Sequence, residues 1–388
     1  MTGTGVNGDS VRHTHLDSLR AALMILGIVV HGGFVYITDQ SWLAASEQVS
    51  RFFDYLVLAI HAFRMPAFFL LSGFLFALVL SRSQSRPFFR SRSRRILIPL
   101  FSIGLALNLL QILAFELLGT EHGRVQLNPT DCDSIADIVH GCWTIHLWFL
   151  VHLFYYFLLG WPLTRLMKRM PQANLPGPRS LLWPASILFL VFLGQATLSL
   201  SYRGVFDFTM YLPLVQTDGH FTDGRFYYYL PFFLFGIVLA FSRDNPATWN
   251  RFGAFPLLLM TVSWVLLLSL FNPDTDSVQS FLRGGRYQIW LFFAVAFQTT
   301  AFLVVISARL PRPSPRSARY LADAALTIYL VHHILIFGAA LVLGNTNLPI
   351  GVQFLALISM VSLLSWALHH YGVNKSRWAG YMVNGRIT

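Results

Sequence analysis

Residues 55–81 read YLVLAIHAFRMPAFFLLSGFLFALVLS, a run in which Arg64 is the one formally charged side chain. A helix needs about 20 mostly apolar residues to cross bilayer hydrocarbon, so this stretch crosses with residues to spare. It also holds an arginine and a histidine, His61, at a depth where ionisable groups are costly. Working outward, the same pattern recurs at 19–38, 96–118, 145–164, 181–201, 226–242, 252–271, 287–307, 321–343 and 350–372. The expected fold class is all-α, a polytopic membrane protein of about ten transmembrane helices with both termini cytoplasmic.

Composition agrees. Hydrophobic residues make up 55% of the 388 positions and charged residues 12%, against about 25% charged in soluble domains, and the mean hydropathy is +0.56. That excludes a secreted toxin, a cytosolic two-domain enzyme and a disordered tail protein. Long unalternating apolar runs argue against a transmembrane β-barrel. The net charge of +11 does not point to nucleic acid, because the basic residues sit in short clusters between spans. With even-numbered crossings, 21 of the 28 Lys and Arg fall on one side and 6 on the other, which makes the first side cytoplasmic. The chain reads as one domain over 1–388: an N-terminal segment 1–18, a membrane domain 19–372 and a tail 373–388. Arg20 and His31 inside the first span argue against a cleaved signal. Cys132 and Cys142 share an outer loop where they are either bridged or free. Asp131, Asp133, Asp137 and His140 nearby fit a solvated acidic loop better than a cation site, and no metal is expected.

The informative residues are the polar ones inside spans. Arg20 and His31 in HLDSLRAALMILGIVVH are eleven positions apart, about three helical turns plus ~20°, so they share a face roughly 16 Å apart along the axis. Arg20 alone would fit snorkelling to headgroups; paired with His31, it fits a long substrate with an anionic head and a reactive end. His61, Arg64 and Ser72 form a second set in HAFRMPAFFLLSGF, with His61 and Arg64 neighbours at i,i+3. His146 and Trp148 open the fourth span in HLWFL, where an interfacial aromatic belt is the plain alternative. Tyr329, His332 and His333 lie mid-span in YLVHH, and adjacent histidines diverge by ~100°, so one of the two is expected to face the interior. Six arginines crowd 82–95, read as a cytoplasmic loop; Arg92 and Arg95 there suit a polyphosphate.

These motifs resemble the membrane-bound acyltransferase-3 family, whose first-helix pattern of Arg, ten residues, then His is met by Arg20 and His31. Its second-helix segment is met by 61–74, and HLWFL, YLVHH and the arginines before ILIP complete a likeness spread over nearly all spans. Within the family, the chain looks like the members that succinylate osmoregulated periplasmic glucans. The resemblance implies an integral enzyme of the bacterial inner membrane, with no permanently bound cofactor, that moves an acyl group from cytoplasmic acyl-CoA, here succinyl-CoA, to a glucan hydroxyl. Arg20, Arg92 and Arg95 would hold the donor, and His31 would be the general base, with His332 and His333 as alternatives; a neutral imidazole near pH 7 suits that task. Arg64, His61, Ser72, His146, Trp148 and Tyr329 are the further substrate-binding candidates. Membrane lipids, acyl-CoA and the glycan acceptor are the expected partners. O-acetylation of lipopolysaccharide or another surface glycan is the nearest alternative, and a proton-coupled transporter the alternative of another class. Against the transporter, the spans hold almost no carboxylates beyond Glu116 and Asp323.

Overall fold

The computed structural model describes residues 14–82, 85–119, 121–128, 141–172, 174–202, 214–215, 222–278, 281, 286–311 and 314–385. Helices dominate: α1 (Thr14–Phe34), α2 (Arg51–Arg82), α3 (Ser85–Pro99), α4 (Leu105–Leu118), α5 (Trp148–Met167), α6 (Trp183–Tyr202), α7 (Thr222–Ala240), α8 (Ala254–Leu270), α9 (Arg286–Arg309), α10 (Pro315–Gly344), α11 (Ile350–Ala367) and α12 (Arg377–Asn384). Among the described residues, seven helical segments are long and apolar enough to cross a membrane, and three shorter apolar helices lie at Trp183–Leu198, Phe226–Ala240 and Ala254–Leu270. The chain is thus a multi-pass membrane protein.

Burial sorts the helices. α2 is apolar all round and buried over most of its length, which marks a helix at the centre of the bundle. α8 buries only Pro256, Ser263 and Leu267, a stripe one side chain wide, and turns the rest outward as a peripheral helix does. α2 packs most extensively on α7. At their crossing a Cβ on Gly73 would land on the Phe233 carbonyl oxygen, and one on Gly236 would land on that of Leu70. Reciprocal glycines let the backbones touch, as small residues do wherever helices associate without a hydrophobic driving force.

Three expectations change. The arginine stretch is not a loop: 85–99 is helical, because Arg is a good helix former and Pro87 stands in the first turn, where it costs nothing. The span expected at 96–118 is interrupted by a π-helical turn, Leu100–Gly104. Its wider turn rephases α4, whose buried residues are then Asn108, Gln111 and Phe115. The outer loops also carry a small antiparallel sheet, β1 (Ala44–Ser46), β2 (Glu121–His122) and β3 (Val125–Leu127), in the order β1-β3-β2. Cys142 is disulfide-bonded; Cys132, Asp131, Asp133, Asp137 and His140 lie outside the described residues.

The Gly73 contact makes the α2–α7 crossing testable. Gly73→Ala is expected to cost about 1–3 kcal/mol through overpacking and to lower the thermal unfolding midpoint in detergent. Gly338→Ala, where a Cβ meets nothing within 4 Å, is expected to leave it in place. Equal midpoints for both variants would contradict the close crossing.

Candidate active site

Four imidazoles meet at the C-terminal end of α1. His31 lies with its ring centroid 5.2 Å from His332 and 5.4 Å from His333, and His146 stacks on His333 at 4.5 Å with the planes 7° apart. The expectation that only one of the adjacent histidines faces the interior is therefore corrected. His332 and His333 diverge around α10, but α1 crosses so that His31 lies within reach of both.

The tautomers follow from their partners. Nδ1 of His332 is 2.8 Å from the Tyr329 carbonyl oxygen and 3.1 Å from that of Ile328. A carbonyl only accepts, so Nδ1 carries the proton and Nε2, buried without a partner, holds the lone pair. Nε2 of His146 donates to the same Tyr329 carbonyl at 3.1 Å, leaving its Nδ1 as the lone-pair nitrogen. The Tyr329 hydroxyl donates in return to the His146 carbonyl. His333 is held through Nδ1 by Gln111 Oε1 at 3.0 Å. Among the described residues no three His, Cys, Asp or Glu side chains are disposed to hold a metal ion.

His146 reaches this cluster by a strained route. It sits in a 3-10 turn, Cys142–Leu147, in which Ile145 takes φ +42°, an outlier for a β-branched residue. Asn108 of α4 pins the turn, its amide donating to the carbonyls of Trp143 at 2.9 Å and Thr144 at 3.0 Å. The interfacial belt, the alternative for His146, does not hold: the residue is 5% exposed and lies against His333. Trp148, half-buried at the start of α5, stacks on Tyr229 at 5.4 Å and 17°, outside the imidazole group.

At the other end of α1, Arg20 lies over the Phe68 ring at 4.8 Å. It is within electrostatic range of Arg92 and Arg95, with Asp17 as the acid in that neighbourhood. α3 thus brings two of its arginines to Arg20. Between the two ends lies a small apolar pocket of about 10 Å³, whose lining includes Met24, Arg64, Met65, Phe68, Phe149 and Tyr329. Arg20, Met24, Gly27 and His31 recur at helical spacing, so both ends lie on one face of α1.

Arg64 closes the cavity toward the histidines. It is 5% exposed, and no carboxylate among the described residues pairs with it. A Cβ on Gly27 would come 2.5 Å from Arg64 Nη1 and 3.6 Å from His332 Nε2; the missing side chain lets the guanidinium lie against α1, next to that imidazole. Ser72 shares the α2 face of Arg64 and Phe68, and its buried hydroxyl has no partner. It lies a turn beyond Phe68, toward the arginines rather than the histidines. His61 stands at the edge of the site, edge-on to Phe34 at 6.2 Å.

Sequence reasoning passed over Gln111, Asn108, Gly27 and Trp42. A buried amide in an otherwise leucine-rich helix was a signal available for the first two. Trp42, in the loop after α1, gave none, yet its ring lies 6.1 Å from His31 and 5.3 Å from His333.

A buried imidazole cluster at one end of an α1 face and a group of arginines at the other suit transfer of a group carried on a long anionic donor. The acyltransferase-3 family model, described as an acyltransferase domain, matches residues 13–370, so the chain belongs to that family and the transporter alternative falls away. Among its relatives, the glucans biosynthesis protein C of Salmonella schwarzengrund (strain CVM19633) is 27% identical over 376 residues, 92% of each chain. Proteins of that name from Salmonella paratyphi A and Salmonella agona (strain SL483) are 27% identical over 342 residues, 84% of each chain. No solved structure matches the chain.

Proposed function

We propose that this membrane acyltransferase takes a succinyl group from cytoplasmic succinyl-CoA and places it on hydroxyls of osmoregulated periplasmic glucans, within the bacterial inner membrane. The observation that carries the reading is the order of groups along α1: Arg20 with Arg92 and Arg95 at one end, then a small apolar pocket with Arg64 in its wall, then the four histidines. The name of the relatives supports a glucan acceptor. The charge asymmetry of the loops supports ten crossings, the three shorter apolar helices included, with both termini and the arginine cleft cytoplasmic.

The diphosphate and nucleotide of the donor are held by Arg20, Arg92 and Arg95, and the pantetheine arm runs along the same face of α1 once the apolar side chains around the small pocket make way for it. This brings the thioester carbonyl to the histidines. The sugar hydroxyl oxygen attacks the carbonyl carbon while His31 takes its proton; the C–S bond then breaks, and the imidazolium returns the proton to the leaving thiolate as CoA thiol. No other reactant is needed. His332 and His333 flank His31 with fixed tautomers and are the alternative bases. Arg64 receives the free carboxylate of the succinyl group, since an unpaired anion in this interior would cost several kcal/mol. An acetyl donor, the alternative with lipopolysaccharide or another glycan as acceptor, would leave that guanidinium without a ligand.

Mass spectrometry of periplasmic glucans tests the function: cells with the wild-type protein should carry succinyl mass increments, and cells with folded His31→Ala should lose them, the rate falling by about 10²–10⁴ as expected for removal of a general base. Increments of acetyl mass, or on another glycan, would redirect the assignment. Replacing Arg92 and Arg95 together by Ala should chiefly raise the KM for succinyl-CoA, because the contact is remote from the reacting carbon; an unchanged donor KM would return these residues to a topological role. Arg64→Gln should lower kcat/KM for succinyl-CoA about tenfold more than for acetyl-CoA, and equal losses would make Arg64 a packing residue.

A further inference from the structure

The helix that carries Arg92 and Arg95 has little in its own sequence to steady it. α3 reads SRPFFRSRSRRILIP, with arginines at 86, 90, 92, 94 and 95 and no acidic residue. Like charges four positions apart, Arg86 with Arg90 and Arg90 with Arg94, weaken a helix, and a segment this short is marginal by itself. Phe88 and Ile96 anchor it to the main core, and Arg92 lies over the Phe88 ring at 5.5 Å. The backbone of Arg94 and Arg95 has a support of another kind.

That support is the C-terminal segment. α12 is capped at its start by Ser376, whose hydroxyl accepts from the Ala379 N–H at 3.2 Å, and it ends at Gly385 with φ +59°. The left-handed turn lays the chain on α3: a Cβ on Gly385 would stand 2.5 Å from the Arg94 carbonyl oxygen and 2.9 Å from Arg95 Cα. Glycine is needed there both for its φ and for the closeness of backbone to backbone. Just before it, Val383 and Asn384 are buried. A second tie comes from the π turn, where the Ser102 hydroxyl lies 2.7 Å from the Met382 carbonyl oxygen, 280 positions away in sequence. Trp378, on another face of α12, is 77% exposed.

The two ties meet α3 beside the residues whose charges most oppose being gathered. Arg20, Arg92 and Arg95 are within electrostatic range of one another, and like charges at such range repel. Before an anion arrives, they stay together only if the backbones bearing them are held. We propose that α12 is a positioning element for the donor: seated on the Arg94–Arg95 backbone through Gly385, it keeps Arg95 beside Arg92 and Arg20, so that the donor's phosphates meet a cationic site already formed. α12 touches no substrate itself; it raises donor affinity by removing the cost of assembling the site at the moment of binding. The inference rests on the donor reading given above and adds the segment that keeps the three arginines together.

The test uses the full-length protein in proteoliposomes with succinyl-CoA and periplasmic glucan as substrates. Gly385→Ala should raise the KM for succinyl-CoA about fivefold or more, while kcat and the glucan KM stay within about twofold. Ser102→Ala should move the donor KM in the same direction, and Ser102→Thr, which keeps the hydroxyl, should restore it. Trp378→Ala should leave it unchanged. Placed on top of Arg92→Ala with Arg95→Ala, Gly385→Ala should add nothing, because its effect runs through those side chains. A donor KM unchanged in folded Gly385→Ala, a parallel loss in donor KM, glucan KM and kcat, or a full effect persisting without the two arginines overturns the proposal. If Gly385→Ala does not fold, the Ser102 pair decides on the same ratio of donor to acceptor KM. An unchanged donor KM in the double arginine variant alone would instead sink the donor reading, and it is measured before Gly385 is altered.

Discussion

The carbonyl oxygen of Tyr329 accepts hydrogen bonds from two imidazoles, His332 on its own helix and His146 from a different part of the chain. One acceptor thereby fixes two tautomers and ties α10 to the turn before α5. The Tyr329 hydroxyl returns a bond to the His146 backbone, so neither histidine can rotate without breaking a buried hydrogen bond. Leaving such a group unsatisfied costs about 1–3 kcal/mol. The π turn that points Asn108 and Gln111 inward, and the close approach of α1 at Gly27, serve the same local arrangement.

The partners given to these histidines are neutral. His332 and His146 bond to carbonyls and His333 to an amide, and among the described residues no acid joins the group. A carboxylate in that position would hold an imidazole as its cation and compete with any proton from substrate. The formal charges are cations: Arg64 beside His332, and Arg20, Arg92 and Arg95 at the other end of α1. Those last three are held toward the opposite end of α1 from the histidines, so one helix face serves the binding of an anion and the acceptance of a proton.

How much of this was legible in the sequence follows from helical periodicity. Arg20 and His31 are on one regular helix, so their spacing alone gave a common face, and the structure places Met24 and Gly27 between them. Arg64 was legible for the same reason, as a charge deep in a long apolar run. His146 was legible as a candidate but not the turn that carries it, because nothing in HLWFL announces a backbone turned at Ile145; the apolar pattern reads as a helix that starts a residue or two earlier. The arginine segment was misread because high charge between spans signals a loop, although Arg supports a helix well. Trp42 was invisible because its place beside the histidines depends on a sheet that pairs Ala44 with Leu127, a pairing that no local pattern encodes.

The places where the sequence was least legible are also those where the backbone departs from regular geometry. Among the described residues, the non-glycine positions with positive φ are Gln40, Ile145 and Leu214. The first precedes Trp42 by two residues and the second immediately precedes His146. The third meets the first turn of the His146 segment, with Leu214 Cα 2.9 Å from where a Cβ on Gly141 would stand. Each such conformation costs of order 1–3 kcal/mol and persists only where its surroundings impose it. Straight helices stack side chains along their axes about 5.4 Å apart per turn, which builds a passage but not its end wall. Closing the passage over His31 requires groups that arrive across the helix axes, and a chain leaving a helix can deliver them only through a tight turn. The strain therefore gathers at the imidazole end because that is where the bundle's own geometry runs out.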